Sequence, residues 1–160
     1  MLGAVMFASK TLFEAVPNIH PLTMLIAVYT VVYRKKAIFP LLIYLVLDTV
    51  KWGPLTMVPY WYIFPLAWLC ILAVPQKNTL WVRQICYTVI CTAFGLLFGT
   101  LYAPWAAVVF LKSFDMGKIL SWIAAGLPYD FIHAAGNFAA SLLIIPLVTV
   151  LKRIEKQKAT

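Results

Sequence analysis

Long apolar runs are broken along this chain by short clusters of proline, glycine and charge. They predict six helices, at about residues 2–16, 19–33, 37–52, 57–74, 81–102 and 127–151. The first is short, because a helix of about 15 residues rises about 22 Å against a hydrocarbon core of about 30 Å. It also carries Lys10 and Glu14 about one turn apart, so other protein must shelter it. The stretch APWAAVVFLKSFDMGKILSWIAAGLP, between the fifth and sixth helices, is too long for a plain turn and is interrupted by Lys112, Asp115, Gly117 and Lys118. It reads as a loop with interfacial helical pieces and not as a span.

Composition turns this pattern into a membrane protein. Hydrophobic residues make up 64% of the 160 and charged residues 11%, against about 45–50% and about 25% in soluble domains. At about 20 residues per crossing, six spans use about 120 residues and leave about 40 for connections. The expectation is a single integral-membrane domain over residues 1–160, with no separate soluble domain or nucleotide-binding module. The opening MLGAVMFASK has no positive region ahead of its apolar stretch and no cleavage pattern, so it is expected to stay. Cys70, Cys86 and Cys91 all lie in apolar runs and read as packing residues, without a disulfide framework or a paired metal motif.

The net charge of +8 reports orientation and not nucleic acid. With a cytoplasmic N-terminus, one face holds Arg34, Lys35, Lys36, Lys77, Arg83, Lys152, Arg153, Lys156 and Lys158. The other holds only Lys51, Lys112 and Lys118. That bias and an even number of spans predict an all-α membrane protein with six transmembrane helices and both N- and C-termini cytoplasmic. Glu14, Asp48, Asp115 and Asp130 fall toward the outer side, leaving Glu155 in the tail.

The outer ends and loops also gather Asn18, His20, Tyr60, Trp61, Tyr62, Tyr102, Trp105 and His133, with Trp52, Trp122 and Tyr129. An interfacial belt accounts for many such aromatics. It does not account for their polar company, because a strongly polar group in a membrane normally faces protein, water or ligand. Asp130, His133, Asn137 and Ser141 recur at steps of three, four and four, one stripe of the last helix. Asp130 also fits an acid at a helix N-terminus after Pro128, and His133 a satisfied buried imidazole. A metal held by Asp130, His133 and His20 is a further option resting on a single i, i+3 pair. Ser141 and His133 stand over two turns apart, too far to act as nucleophile and base. In the first connection, Pro17 ends one helix, Asn18 can cap the next, and Glu14 and His20 exceed what capping requires. Ala4 with Ala8, Gly95 with Gly99, and Gly136 with Ala140 mark close helix contacts.

The strings SKTLFEAVPNIHPLTMLIAVYTVVYRKKAIFPLLIYLVLD, FGTLYAPWAAVVF and AGLPYDFIHAAGNFAASLLIIPL resemble a Firmicutes group of S components, the substrate-binding subunits of energy-coupling factor (ECF) vitamin transporters. They span most of the chain, and the absence of a Walker motif agrees with a class whose ATPases are separate subunits. The resemblance implies a membrane subunit that captures a vitamin-like molecule at its outer face. It would deliver that cargo inward with a transmembrane coupling subunit and two cytoplasmic ATPases, rotating within the membrane. It places the coupling contact at Ala4 and Ala8, the positions matching the family's Ala-xxx-Ala. It places the substrate site in the outer ends of helices four to six and the outer loops, which here hold Tyr60, Trp61, Tyr62, Tyr102, Trp105, Asp130, His133 and Asn137.

In this reading the chain binds without doing chemistry and needs no cofactor or metal. Aromatic faces stack a flat heterocycle, while Glu14, Asp130, His133 and Asn137 bond its polar edge. Cobalamin, pyridoxine, pantothenate and hydroxymethylpyrimidine all fit that composition. Two alternatives are a small intramembrane enzyme using His133, Asp130 and His20, which lacks a recognisable nucleophile constellation, and a non-transport membrane assembly protein, for which glycine-rich packing and a basic tail suffice.

Overall fold

Helix α2 (Leu22–Tyr33) is apolar all round, and nine of its 12 residues are buried, so it is the most enclosed element of the bundle. The computed structural model describes residues 1–16, 19–112 and 114–158, with no strand among them. The other helices are α1 (Leu2–Leu12), α3 (Ile38–Trp52), the single turn α4 (Pro54–Met57), α5 (Tyr60–Leu72), α6 (Leu80–Leu96), α7 (Phe98–Val109), α8 (Met116–Ser141) and α9 (Ile144–Lys158). A 3-10 turn, Arg34–Ala37, links α2 to α3. The main core draws Met6, Leu41, Tyr44, Leu45, Ile71, Tyr87, Cys91 and Ile144 onto α2 from five surrounding helices.

Close packing is set by glycine at two contacts. On α1 the inward face is Gly3, Met6 and Lys10, and a Cβ on Gly3 would stand 2.7 Å from Ile43 Cβ and Pro40 O of α3. On α6 a Cβ on Gly95 would lie 2.7 Å from the Ala134 backbone, which lets α6 and α8 run backbone against backbone. Ala4 and Ala8 face outward from α1 and are exposed. Cys70, Cys86 and Cys91 are free thiols.

Two stretches are long and apolar enough to cross a membrane, Pro54–Leu72 and Leu80–Val109. Helices α8 and α9, bent by 47°, make a third if the pair counts as one span. Helices α1, α2 and α3 rise only about 16, 18 and 22 Å, so the six predicted elements are not six helices of spanning length. Large apolar side chains such as Val50, Trp81, Ile85, Val89 and Phe131 lie exposed on the flanks, a surface suited to lipid and not to water.

The stretch expected to be a loop with interfacial helical pieces is helical on both sides of a reversal, and its helices run on into the flanking ones. Helix α6 continues through Leu97 into α7 as far as Val109, and α8 begins at Met116, not near residue 127. Lys112, Asp115, Gly117 and Lys118 fall at that reversal, where the Asp115 carboxylate accepts a bond from Lys118 N at 2.9 Å and caps α8. The flanking apolar residues form a small second core of Ala103, Ala107 and Ile119. Pro104 and Pro128 sit inside α7 and α8 without ending them. Past Ser141 the chain bends before α9, and Gln84 of α6 fills the break: its Nε2 donates to Ser141 O at 2.8 Å, and its Oε1 accepts from Ile145 N at 3.4 Å. The first helix ends at Leu12, with residues 13–16 in turns.

Candidate functional site

Late α1, early α2, late α3, early α5, the α6–α7 junction and the middle of α8 all meet at one end of the bundle. A cavity of about 50 Å³ lies there, lined by Lys10, His20, Thr23, Tyr60, Phe98 and His133, with Leu22 and Phe64. A smaller void of about 10 Å³ continues inward past Thr23, Phe64 and Phe98 to Phe94, Ile63 and Asn137.

The polar wall is built by a buried charge. Lys10 lies on the inward face of α1 and is nearly buried. Its ammonium pairs with Asp48 Oδ2, which also accepts a bond from Tyr44 Oη at 2.9 Å. Lys10 Nζ further lies 5.2 Å from the Tyr60 ring centre and 6.0 Å from that of Trp52. Such cation–ring contacts compensate part of the desolvation that a buried ammonium suffers. The shelter expected for Lys10 is therefore Asp48, Tyr44 and Tyr60, and Glu14 takes no part in it.

Two imidazoles face each other across the cavity. The rings of His20 and His133 stand edge to face with centres 5.7 Å apart, and Phe98 lies 5.0 Å from His133. His20 Nδ1 is buried and has no hydrogen-bond partner among the described residues. From Phe98 an aromatic chain runs outward through Tyr102 and Trp105 to Phe110 and Trp122, each ring within 6.2 Å of the next.

Of the residues singled out from sequence, His20, Tyr60 and His133 line the main cavity, and Asn137 lines its inner extension while donating to Cys91 O at 3.1 Å. Tyr102 and Trp105 stand behind the wall in the aromatic chain. The other candidates are engaged elsewhere. Glu14 pairs with Lys51 at the surface. Trp61 is exposed and donates from Nε1 to Thr49 Oγ1 at 3.0 Å, and Tyr62 donates to Leu101 O at 2.8 Å. Asp130 is buried against α7, where Oδ1 accepts from Gly99 N at 3.0 Å. The stripe from Asp130 to Ser141 thus divides: Asp130 grips the helix junction, His133 and Asn137 meet the cavity, and Ser141 Oγ lies 2.7 Å from Phe138 O and 3.0 Å from Thr88 Oγ1. Asn18 lies outside the described residues.

Lys10, Asp48, Thr23, Phe64 and Phe98 belong to the site beyond the residues expected from sequence. Lys10 and Asp48 did carry a signal, being opposite charges in two apolar helices that need each other. Thr23, Phe64 and Phe98 carried none, since each looks like ordinary helix packing. Among the described residues, no group of three or more His, Cys, Asp or Glu side chains could hold a metal ion. The assembled groups can hydrogen-bond the polar edge of a small molecule and cover it with rings. No family model, curated protein or solved structure matches the chain.

Proposed function

We propose that this protein is the substrate-binding S subunit of an ECF-type importer, crossing the membrane six times with both termini cytoplasmic. The observation that carries the reading is the enclosed cavity at one end of an apolar bundle, where a lysine, two imidazoles and a threonine converge under aromatic cover. Within that wall His20 Nδ1 is buried without a hydrogen-bond partner among the described residues, and a bound ligand is what would satisfy it.

Six passages are supported by the alternation of ends. Lys10, Thr23, Asp48, Tyr60, Phe98 and His133 come from successive helices and gather at the cavity end, while Tyr33, Leu72 and Glu155 gather at the other. The excess of basic residues at that second end supports a cytoplasmic location for it. The short helices α1 to α3 cross as sheltered members of the bundle, each contacting its neighbours.

The cargo favoured is a vitamin-like heterocycle with hydrogen-bonding groups on one edge. Ligand sites usually enclose about 300–1,000 Å³, and this cavity of about 50 Å³ must open around even a small vitamin. Exposed Ala4 and Ala8 on α1 leave a shallow face on which a helix of the coupling subunit can lie closely. A thermal-unfolding screen of the purified chain against vitamins and their precursors tests the reading. A true ligand present at about 100 times its Kd adds about 2.7 kcal/mol of stability; a panel without any stabilising compound would count against it.

A further inference from the structure

At the end of the bundle opposite the cavity, an open groove of about 530 Å³ lies between the end of α2 and the end of α5. Tyr33, Arg34, Lys35, Lys36 and Leu72 line it. Three consecutive cations thus share one concave surface with an aromatic ring and an aliphatic side chain. Lys35 and Lys36 are exposed, and Arg34 is half-buried.

Arg34 is held there in an unusual way. Its backbone has φ 54°, a left-handed conformation seldom adopted by a residue with a side chain. Its Nη2 donates to Leu72 O at 2.9 Å, which fixes the guanidinium against the end of α5. Its Nη1 is buried and has no hydrogen-bond partner among the described residues. A buried guanidinium nitrogen left without an acceptor is uncommon, and an anionic oxygen is the acceptor that suits its fork best. Other charges at this end are mostly of the same sign. Glu155 of α9 lies beside the Tyr33 hydroxyl, and Lys152, Arg153 and Lys156 around it are exposed.

We infer that this groove binds the phosphodiester headgroup of an anionic phospholipid. The phosphate oxygens meet the two lysines and the Arg34 guanidinium, which turns its Nη1 outward to reach them, and the glycerol and first acyl carbons lie on Tyr33 and Leu72. A lipid is favoured over a soluble anion because the groove combines cations with an apolar floor and opens at the end of an apolar bundle. Basic pockets between helices at this depth are where anionic headgroups dock. The inference does not depend on what the chain transports, or on whether it transports anything.

The test uses the full chain in a neutral detergent, titrated with phosphatidylglycerol, phosphatidylcholine and, separately, inorganic phosphate, with bound molecules counted by native mass spectrometry. Phosphatidylglycerol should bind at least about tenfold more tightly than phosphatidylcholine, at about fivefold in affinity per basic residue engaged, and inorganic phosphate should bind far more weakly than phosphatidylglycerol. The Lys35→Gln/Lys36→Gln double variant, altered only at exposed positions, should keep its unfolding temperature and lose most of that preference. Arg34→Gln should lose it as well. Equal binding of the two lipids, or a preference unchanged in both variants, would overturn the proposal. Inorganic phosphate binding as tightly as phosphatidylglycerol would overturn it too, by reassigning the groove to a free anion.

Discussion

Removing one partner of the Lys10–Asp48 pair should be among the most damaging single changes available in this chain. Asp48 is 1% exposed, and its Oδ2 is shared between the Lys10 ammonium and the Tyr44 hydroxyl. Breaking a buried pair leaves an uncompensated charge, which costs about 3–5 kcal/mol, whereas replacing both partners by apolar residues of similar volume is often neutral or stabilising. Tyr44→Phe deletes one hydrogen bond to a charged acceptor and should cost about 1.5–3 kcal/mol. Asp48→Asn and Lys10→Met should each cost about 3–5 kcal/mol, a fall of about 6–20 °C at about 2–4 °C per kcal/mol for a chain of this length. The Lys10→Met/Asp48→Leu double variant should recover most of that loss. Thermal unfolding in detergent, run as a double-mutant cycle, reads all of these. Single variants within about 1 kcal/mol of the parent, or a double variant equal to the sum of the singles, would refute the claim that the two charges exist for each other.

Other consequences are open to direct measurement. Gly95→Ala should lower stability by about 1–3 kcal/mol, read as an earlier unfolding transition, because its Cβ would press on the Ala134 backbone. Asn137→Leu should cost about 1–3 kcal/mol, since the bond to Cys91 O is lost and that carbonyl is left buried; ligand affinity in this variant must therefore be measured well below its unfolding temperature, and it should fall. Ala8→Trp, on the outward face of α1, should leave ligand binding by the isolated chain intact and abolish co-purification with a coupling subunit, and a variant that still assembles would show that this face carries no partner.

The helical class and most helix positions were legible because unbroken apolar runs leave few other structures open to the backbone. The error over residues 103–126 has a simple cause. In sequence, Lys112, Asp115, Gly117 and Lys118 look as though they break the whole stretch, but they cluster at one reversal and Asp115 serves as the cap of a 26-residue helix. Within the site, periodicity placed His133 and Asn137 on one stripe but could not tell which side of α8 meets α7, and that side takes Asp130. Trp61 and Tyr62 follow Tyr60 directly, yet a helix turns about 100° per residue, so only Tyr60 of the three faces the cavity. Lys10 and Asp48 lie 38 positions apart, and only packing of α1 on α3 shows them as partners.

The central claim, that the cavity between His20 and His133 holds a captured small molecule, is tested most directly by what travels with the protein. The chain and a His20→Leu/His133→Leu variant, purified in mild detergent from cells grown in rich medium and matched for folded content, are heated to release bound compounds for mass spectrometry. The account expects one heterocyclic compound, stoichiometric with the parent chain and lost from the variant. The absence of any such compound from the parent chain, or its equal recovery from both proteins, would contradict it.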